Sequence, residues 1–306
     1  MYQLNRRFLV ITPIICAVAL GAWFGIKNIS QGRHQVAGSS SEGAKQVENQ
    51  ISHSSDNETK KLKGLIPPDN ISEWNSWDDE KKQAFVTFCE HNRELTPEVI
   101  SFFKQEVRNK SLGVVTRNNM ANCLVGQEKS DGELAPVFEE MLLDETDNQQ
   151  WRDYSLQFLA ISLPWSSDPS RYAETLWNQA LSGKGTLSGT ALLHLSYLSE
   201  QGVSPLPAEY NARIIECVKD SRIEISTRMT AISIVGREKI FEAADEVRKV
   251  AQLAPEPAVK RAAIAALGEL SQANDLALVR SHVEDPDPLI AAAAKSAEQK
   301  ISKNKK

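Results

Sequence analysis

The chain has 306 residues, of which 41% are hydrophobic and 25% are charged, and its formal net charge is −5. This composition supports a packed core and excludes a wholly disordered chain. Acidic and basic residues are mixed along the sequence, whereas a nucleic-acid-binding surface needs clustered Lys and Arg, so no nucleic acid is expected as a partner.

An uncharged apolar run lies near the N-terminus, at residues 8–26, directly after Arg6 and Arg7. As a helix it would span about 28 Å, close to the thickness of a bilayer's hydrocarbon core. Residues 1–27 are therefore predicted to be a transmembrane anchor, with a cytoplasmic N-terminus and an extracytoplasmic (periplasmic or extracellular) helical domain. The alternative is a signal peptide cleaved at the A-x-A sequence of residues 17–19, which would make the protein secreted.

The segment at residues 28–65 is rich in Ser, Gln, Asn, Gly and Lys. No helical or strand period holds there, so we predict a flexible, disordered linker. After Pro67-Pro68 the pattern becomes that of amphipathic helices. Thr96-Pro97-Glu98 is typical of a helix start, with a capping hydroxyl, a proline in the first turn and an acid near the positive end of the helix dipole. Residues 66–114 are predicted to form an N-terminal helical cap.

A helical pattern then recurs with a period of about 30–40 residues, which is typical of repeat proteins. Residues 117–124 align with residues 152–159, and further copies begin near positions 189, 229, 261 and 291. Intervening helices are predicted at 135–143, 170–181, 208–218, 241–253 and 275–283. Residues 115–306 are therefore predicted to form an all-α array of about six helix pairs.

One copy shows why such pairs should stack. Val259, Ala263, Leu267 and Leu270 fall on a single helical stripe, which Ile264 widens. A stripe this broad cannot be covered by one partner helix, so a neighbouring pair must bury the rest.

The sequence EPAVKRAAIAALGEL at residues 256–270, followed by DPDPLIAAAA at 285–294, resembles the HEAT-repeat family in its short bacterial form. The resemblance is strongest over residues 220–302 and weaker back to about 115, while residues 66–114 depart from it. It implies an α-solenoid used for protein–protein contact, with no shared catalytic residues.

No catalytic, cofactor-binding or metal-binding residues are predicted. The five histidines are far apart and the four cysteines form no CxxC motif, which argues against a zinc site. His194 and the Glu139-Glu140 pair fit a packed helix and a solvated face better than a reaction centre. Cys89 and Cys123 fall in helices predicted to be neighbours, and whether they pair is left open. The protein is therefore predicted not to be an enzyme and to have no small-molecule substrate or cofactor.

Aromatic residues concentrate in the part of the chain before the strongest repeats. Protein interfaces favour Trp and Tyr, so a binding groove is expected toward that half. Trp74 and Trp77, just after the linker, are expected to be exposed. Three others are expected on the concave side of the array, which second helices usually line. The candidate partner-binding residues are Trp74, Trp77, Tyr172, Trp177 and Tyr210.

These patterns predict a non-enzymatic, membrane-tethered HEAT-like scaffold or adaptor that binds another protein through its solenoid surface. Its expected partners are a protein of unknown identity and a membrane contacted through residues 8–26. One alternative is a structural spacer or capping module in an extracytoplasmic assembly with no discrete ligand. The other is an enzyme of unknown type.

Overall fold

A computed structural model describes residues 71–91, 95–127, 134–182 and 184–304. The chain divides into two compact units, Met1–Asp78 and Asp79–Lys306, which are taken separately. In the first unit, the described residues form a short 3-10 helix at Ile71–Ser76. The rings of Trp74 and Trp77 meet edge to face, with 5.6 Å between centroids. The predicted linker and the predicted boundaries at 27 and 65 lie outside the described residues, and the predicted boundary at 114 stays a prediction.

The second unit consists of α-helices joined by turns and short 3-10 helices. No strand occurs in the residues that the structure describes, so the predicted all-α class is confirmed. The helices are α1 (Asp79–His91), α2 (Pro97–Glu106), α3 (Val114–Val125), α4 (Leu134–Leu143), α5 (Gln149–Ser162), α6 (Pro169–Ser182), α7 (Gly185–Glu200), α8 (Tyr210–Lys219), α9 (Ile225–Glu238), α10 (Ala244–Leu253), α11 (Pro257–Leu270), α12 (Leu276–Arg280) and α13 (Pro288–Lys303).

Local sequence explains where several helices begin. Thr96 caps α2 by accepting a hydrogen bond from the Val99 amide, as predicted from the Thr-Pro-Glu sequence. The Asn148 side chain accepts the first amides of α5, and Asp287 does the same for α13. These caps satisfy backbone donors that have no partner inside the helix.

The helices pack in a consistent order. Helices α2 to α13 form six consecutive pairs, each made of an even-numbered helix and the odd-numbered helix that follows it. The odd-numbered helices also contact one another in sequence, from α1 through α13. Contacts between even-numbered helices are sparser and join α4 with α6 and α8 with α10. The main core therefore lies along the row of odd-numbered helices.

An arginine ties the two helices together in three of the six pairs. Each one lies in the first turn of the odd-numbered helix, and its Nε donates to a carbonyl oxygen ten residues earlier, at the end of the even-numbered helix. The bonds run from Arg117 to Val107 (2.7 Å), from Arg152 to Leu142 (2.9 Å) and from Arg228 to Val218 (3.3 Å). Carbonyls in the last turn of a helix have no partner within it, so each arginine satisfies one of them.

Small residues allow the odd-numbered helices to approach closely. A Cβ atom added to Gly268 of α11 would lie 2.7 Å from both the Cα and the Cβ of Ala297 in α13. A Cβ added to Gly236 of α9 would lie 3.0 Å from the Cα of Ala266 in α11. The row can be this tight only where one partner has no side chain.

The predicted apolar stripe of α11 is confirmed. Val259, Ala263, Leu267 and Leu270 are all buried. The α1 and α3 cysteines, Cys89 and Cys123, are buried free thiols, as is Cys217 of α8. Burial raises the pKa of Cys89 to about 12 and also raises that of Cys123. These thiols therefore behave as small apolar core residues rather than as nucleophiles.

The prediction of a single-pass membrane protein is corrected. Among the described helices, the longest are α7 and α13, with 16 residues each. A helix of that length spans about 24 Å, which is less than the roughly 30 Å of a bilayer's hydrocarbon core. No helix in the described part of the chain is long and apolar enough to cross a membrane. The predicted span at residues 8–26 lies outside that part, and the membrane assignment is not retained.

Candidate functional site: an uncharged face on six helices

Burial limits what the five predicted contact residues can do. Trp74, Trp77, Tyr172 and Tyr210 are 2%, 6%, 4% and 1% exposed, so they contribute almost nothing to the surface. The Tyr210 hydroxyl donates to the carbonyl oxygen of Leu192 at 2.9 Å, which fixes it in the interior. Trp177 is half-buried on α6. The partner-binding role of all five stays a prediction.

The ionisable residues weighed for chemistry lie apart from one another. Glu139 of α4 accepts hydrogen bonds from Arg171 and Thr175 of α6, at 2.5 Å and 2.7 Å. Its neighbour Glu140 pairs with Arg108, in the turn after α2. His194 belongs to α7, and burial lowers its pKa to about 4, so its imidazole is neutral near pH 7. The described residues contain no group of three or more His, Cys, Asp or Glu side chains that could hold a metal ion.

A different feature repeats on the second helix of every pair. The helices concerned are α3, α5, α7, α9, α11 and α13. If i is the second residue of each helix, the residues at i, i+4 and i+7 share one side of it. We call these eighteen positions the uncharged face. Seventeen of them are exposed or half-buried, and Thr190 is buried. They are Val115, Asn119 and Asn122; Gln150, Tyr154 and Gln157; Thr186, Thr190 and Leu193; Ser226, Thr230 and Ser233; Ala258, Ala262 and Ala265; and Leu289, Ala293 and Ser296.

The face contains no Asp, Glu, Lys or Arg. About a quarter to a third of the residues on an ordinary soluble surface are charged, so eighteen surface positions would be expected to carry about five. The even-numbered helices follow the ordinary pattern. Their exposed positions include Arg171 and Glu174 of α6, Glu216 of α8, and Asp245 and Lys249 of α10. The absence of charge is therefore specific to one side of the row of helices.

Helix periodicity positions this face. Residues at i, i+4 and i+7 lie within about 60° of one another around a helix axis, so they form a stripe. In α5 the stripe lies beside core residues such as Trp151 and Leu159, which are fully buried. Consecutive odd-numbered helices touch, and Thr190 on the α7 stripe bonds to Asp153 beside the α5 stripe, so neighbouring stripes lie side by side. At the usual 8–10 Å between packed helices, six stripes extend over about 40–50 Å.

Hydrogen-bonding side chains lie on the middle of the face, on α5 and α7. The Gln150 Nε2 donates to the Tyr154 hydroxyl at 3.0 Å. Gln157 Nε2 lies 3.4 Å from one carboxyl oxygen of Asp153, and the Thr190 hydroxyl donates to the other at 2.8 Å. Amides and hydroxyls of this kind can both donate and accept, so they suit a ligand that does the same.

Asp153 adjoins the face between α5 and α7 and is 8% exposed. Burial raises its pKa, and hydrogen bonds from Thr190, Thr186 and Gln157 only partly offset that effect. The raised pKa favours the neutral acid over the carboxylate. Arg261 occupies the same position in α11 (i+3) as Asp153 in α5, and it is half-buried. A basic residue therefore adjoins the uncharged face on that helix.

Charged residues occur on the same stripes closer to the C-terminal ends of the helices, at i+11. Arg237 of α9 lies over the ring of Tyr197 from α7, with 4.6 Å between its guanidinium carbon and the ring centroid. Its Nε lies 3.6 Å from a carboxyl oxygen of Glu200. On the next two helices, Lys300 of α13 pairs with Glu269 of α11 at 2.5 Å. Paired charges therefore border the uncharged face at this end.

The uncharged face was not predicted from the sequence. The predicted contact residues are large aromatics, and three of the five lie on even-numbered helices, whereas the face lies on odd-numbered ones. The signal was present as a run of uncharged residues at i, i+4 and i+7 in each second helix. It becomes visible only when the helix bounds fix the phase of each stripe.

Comparison with known proteins gives a weak structural similarity and no family. No protein-family model matches the chain, and no curated protein matches it. Among solved structures, that of human deoxyhypusine hydroxylase in complex with glycerol is similar over 82% of this chain and 99% of that chain. The sequence identity is 15% and the TM-score is 0.33. A similarity of this size transfers neither the activity nor the ligand of that protein.

The predicted role as a membrane-tethered scaffold or adaptor is also corrected. No family model and no curated protein matches the chain, so no comparison supports a scaffold. Four of the five predicted contact residues are buried, among them Trp74 and Trp77, which were expected to be exposed. The scaffold hypothesis is not retained.

Proposed function

We propose that residues 79–304 form an α-solenoid of HEAT-like repeats that binds an uncharged, hydrogen-bonding ligand along the uncharged face. Two features support the repeat architecture. Each helix makes its main contacts with helices that are near it in chain order. The arginine bond between paired helices recurs with the same ten-residue spacing.

The absence of charge on the face is the observation that carries the binding proposal. Keeping eighteen neighbouring surface positions uncharged costs solubility, which charged residues normally provide. A charge buried under a ligand that has no opposite charge would lose its hydration without compensation. A surface that accepts a neutral ligand should therefore exclude Asp, Glu, Lys and Arg, whereas a surface that only faces water has no reason to do so.

The experiment places a charge on the face and compares it with a charge elsewhere. The variants are Gln157→Lys, on the face, and Asn178→Lys, on the exposed side of α6. The probes are neutral polymers, namely uncharged oligosaccharides and peptides of Gly, Ser, Asn and Gln, with heparin and polylysine as charged counterparts. Binding is measured by isothermal titration calorimetry on the full chain.

We expect at least one neutral polymer to bind the wild type. Gln157→Lys should weaken that binding about tenfold or more, because the ammonium group would be desolvated, while Asn178→Lys should leave it unchanged. Heparin and polylysine should not compete for the face. Binding by charged polymers alone, or equal effects of the two variants, would contradict the proposal.

A further inference from the structure

The face has a chemical character beyond its lack of charge, and its length narrows the class of ligand. A polypeptide extended over 40–50 Å has about 13 residues, and about a quarter of the residues in ordinary proteins are charged. Such a segment would carry about three charged side chains, and about half of them would point at the face, where they would meet no opposite charge. A polymer that is neutral along its whole length avoids this cost.

The side chains at the middle of the face match the groups of a sugar. Every sugar hydroxyl both donates and accepts hydrogen bonds, as do the amides and hydroxyls of Asn122, Gln157 and Thr186. Sugar rings also have faces of C–H groups, which pack against the electron-rich face of an aromatic ring. Tyr154 supplies such a ring on α5, half-buried, with its hydroxyl held by Gln150.

The two tyrosines near the centre are not equivalent. Arg237 covers one side of the Tyr197 ring, and His194 approaches Tyr197 edge-on, with 6.4 Å between ring centroids. Tyr154 lies closer to the middle of the stripe, at i+4 rather than i+11. We therefore take Tyr154 as the principal stacking residue.

We propose that the ligand of the uncharged face is a neutral oligosaccharide, stacked on Tyr154 and hydrogen-bonded by Asn122, Gln157 and Thr186. This inference rests on the proposed binding function and specifies its ligand. The bonding is entirely non-covalent, so no reaction of the sugar is involved.

The test uses the full chain and a panel of neutral hexasaccharides, namely maltohexaose, cellohexaose and hexa-N-acetylchitohexaose. A neutral peptide of Gly, Ser, Asn and Gln and a sulfated oligosaccharide are run beside them. The variants are Tyr154→Ala, which removes the ring, and Tyr154→Phe, which keeps it. The control is Phe241→Ala, which removes an exposed aromatic ring at the start of a 3-10 helix away from the face. Circular dichroism melts establish that each variant is folded.

We expect one neutral hexasaccharide to bind, and Tyr154→Ala to weaken it at least tenfold. Tyr154→Phe should stay within about threefold of the wild type, and Phe241→Ala should be unchanged. If Tyr154→Ala does not fold, Tyr154→Leu takes its place, because it removes the aromatic ring but keeps most of the apolar bulk, and it should also weaken binding at least tenfold.

Three results would overturn the inference in different ways. If the neutral peptide binds at the face while no oligosaccharide does, the ligand class is wrong but the proposed binding function stands. If no neutral polymer binds, both are wrong. Preferential binding of the sulfated sugar would also overturn the inference, because a neutral face has nothing to pair with sulfate.

Discussion

At the scale of single residues, the close contact of Gly268 with Ala297 is the most sensitive point of the packing. Gly268→Ala would place a methyl group 2.7 Å from the Cα of Ala297, inside van der Waals contact. Neither backbone can move without shifting α11 against α13. We expect a loss of about 1–3 kcal/mol in the free energy of unfolding, measured by urea denaturation.

Gly113→Ala is the matched control. Gly113 precedes α3 with φ −59°, and a Cβ added there would meet nothing within 4 Å. Its substitution should be neutral or stabilising by about 0.4–1 kcal/mol, because alanine restricts the unfolded chain. Equal effects at the two glycines would show that the helices are not as close as described.

Asp153 gives a pH dependence with an unusual sign. Its pKa is higher in the folded protein than in the unfolded chain, so folding takes up a proton. Its contribution to stability is therefore greatest below the ordinary Asp pKa near 4 and falls as the pH rises through the raised value. Relative to the wild type, Asp153→Asn should gain stability between about pH 3 and pH 7, by about 1.4 kcal/mol for each unit of the shift.

Asp220 is the control for that experiment. Hydrogen bonds from the Arg222 side chain and amide lower its pKa to about 2. The ionised Asp220 carboxylate stabilises the fold, and this stabilisation is lost as the pH falls. Asp220→Asn should therefore lower the stability relative to the wild type most at the higher pH values, which is the opposite trend. Thermal melts between pH 3 and pH 7 compare the two variants. The Asp153 assignment fails if Asp153→Asn follows the same trend as Asp220→Asn.

At the scale of helices, two pairs are linked by the ion pair of Arg117 and Asp147, the most buried ion pair among the described residues. It joins α3 to the turn before α5 through two hydrogen bonds, of 2.9 Å and 2.7 Å. The side chains are 2% and 4% exposed, and the guanidinium also lies over the ring of Trp151, 4.3 Å from its centroid. Burial raises the pKa of Asp147, but the hydrogen bonds from Arg117 and the Asn148 amide outweigh it, so the pKa is lowered overall.

Removing one member of this buried pair leaves the other without a partner. Arg117→Ala should therefore cost about 3–5 kcal/mol in chemical denaturation, and the Arg117→Ala/Asp147→Ala double variant should cost less than the sum of the two single changes. The exposed pair of Lys184 and Glu145, with side chains 70% and 69% exposed, provides the comparison. Lys184→Ala should cost less than about 1 kcal/mol. Additive effects for Arg117 and Asp147 would show that they are not coupled.

Helix periodicity and capping made most helices predictable from sequence. The predicted helices at 135–143 and 170–181 agree within a residue with α4 and α6. The predicted helix at 275–283 is shorter, because α12 ends at Arg280 and turns follow it. There the Asp285 carboxylate accepts the Asp287 amide at 3.0 Å, a local side-chain bond to the backbone that competes with a further helical turn, and Pro286 cannot donate a helical bond. Such side-chain bonds leave no periodic signal in the sequence.

At the scale of the whole second unit, apolar periodicity predicted which side of each helix would be buried but not which exposed side would be distinctive. Ala263 was predicted to lie inside and is fully buried. The aromatic residues offered as contacts are mostly buried because large rings also fill a core well, and the sequence alone does not separate the two uses. The uncharged face depends on the relative phase of six helices, so it required their bounds and contacts.

The most direct test of the account is hydroxyl-radical footprinting of the full chain with and without a bound neutral oligosaccharide. The method reports the accessibility of individual side chains. We predict protection of Tyr154 and Leu193 on the uncharged face, with no change at Leu253 of α10 or at Phe241, which are 76% and 49% exposed. Protection of Leu253 and Phe241, with Tyr154 and Leu193 unchanged, would contradict the account.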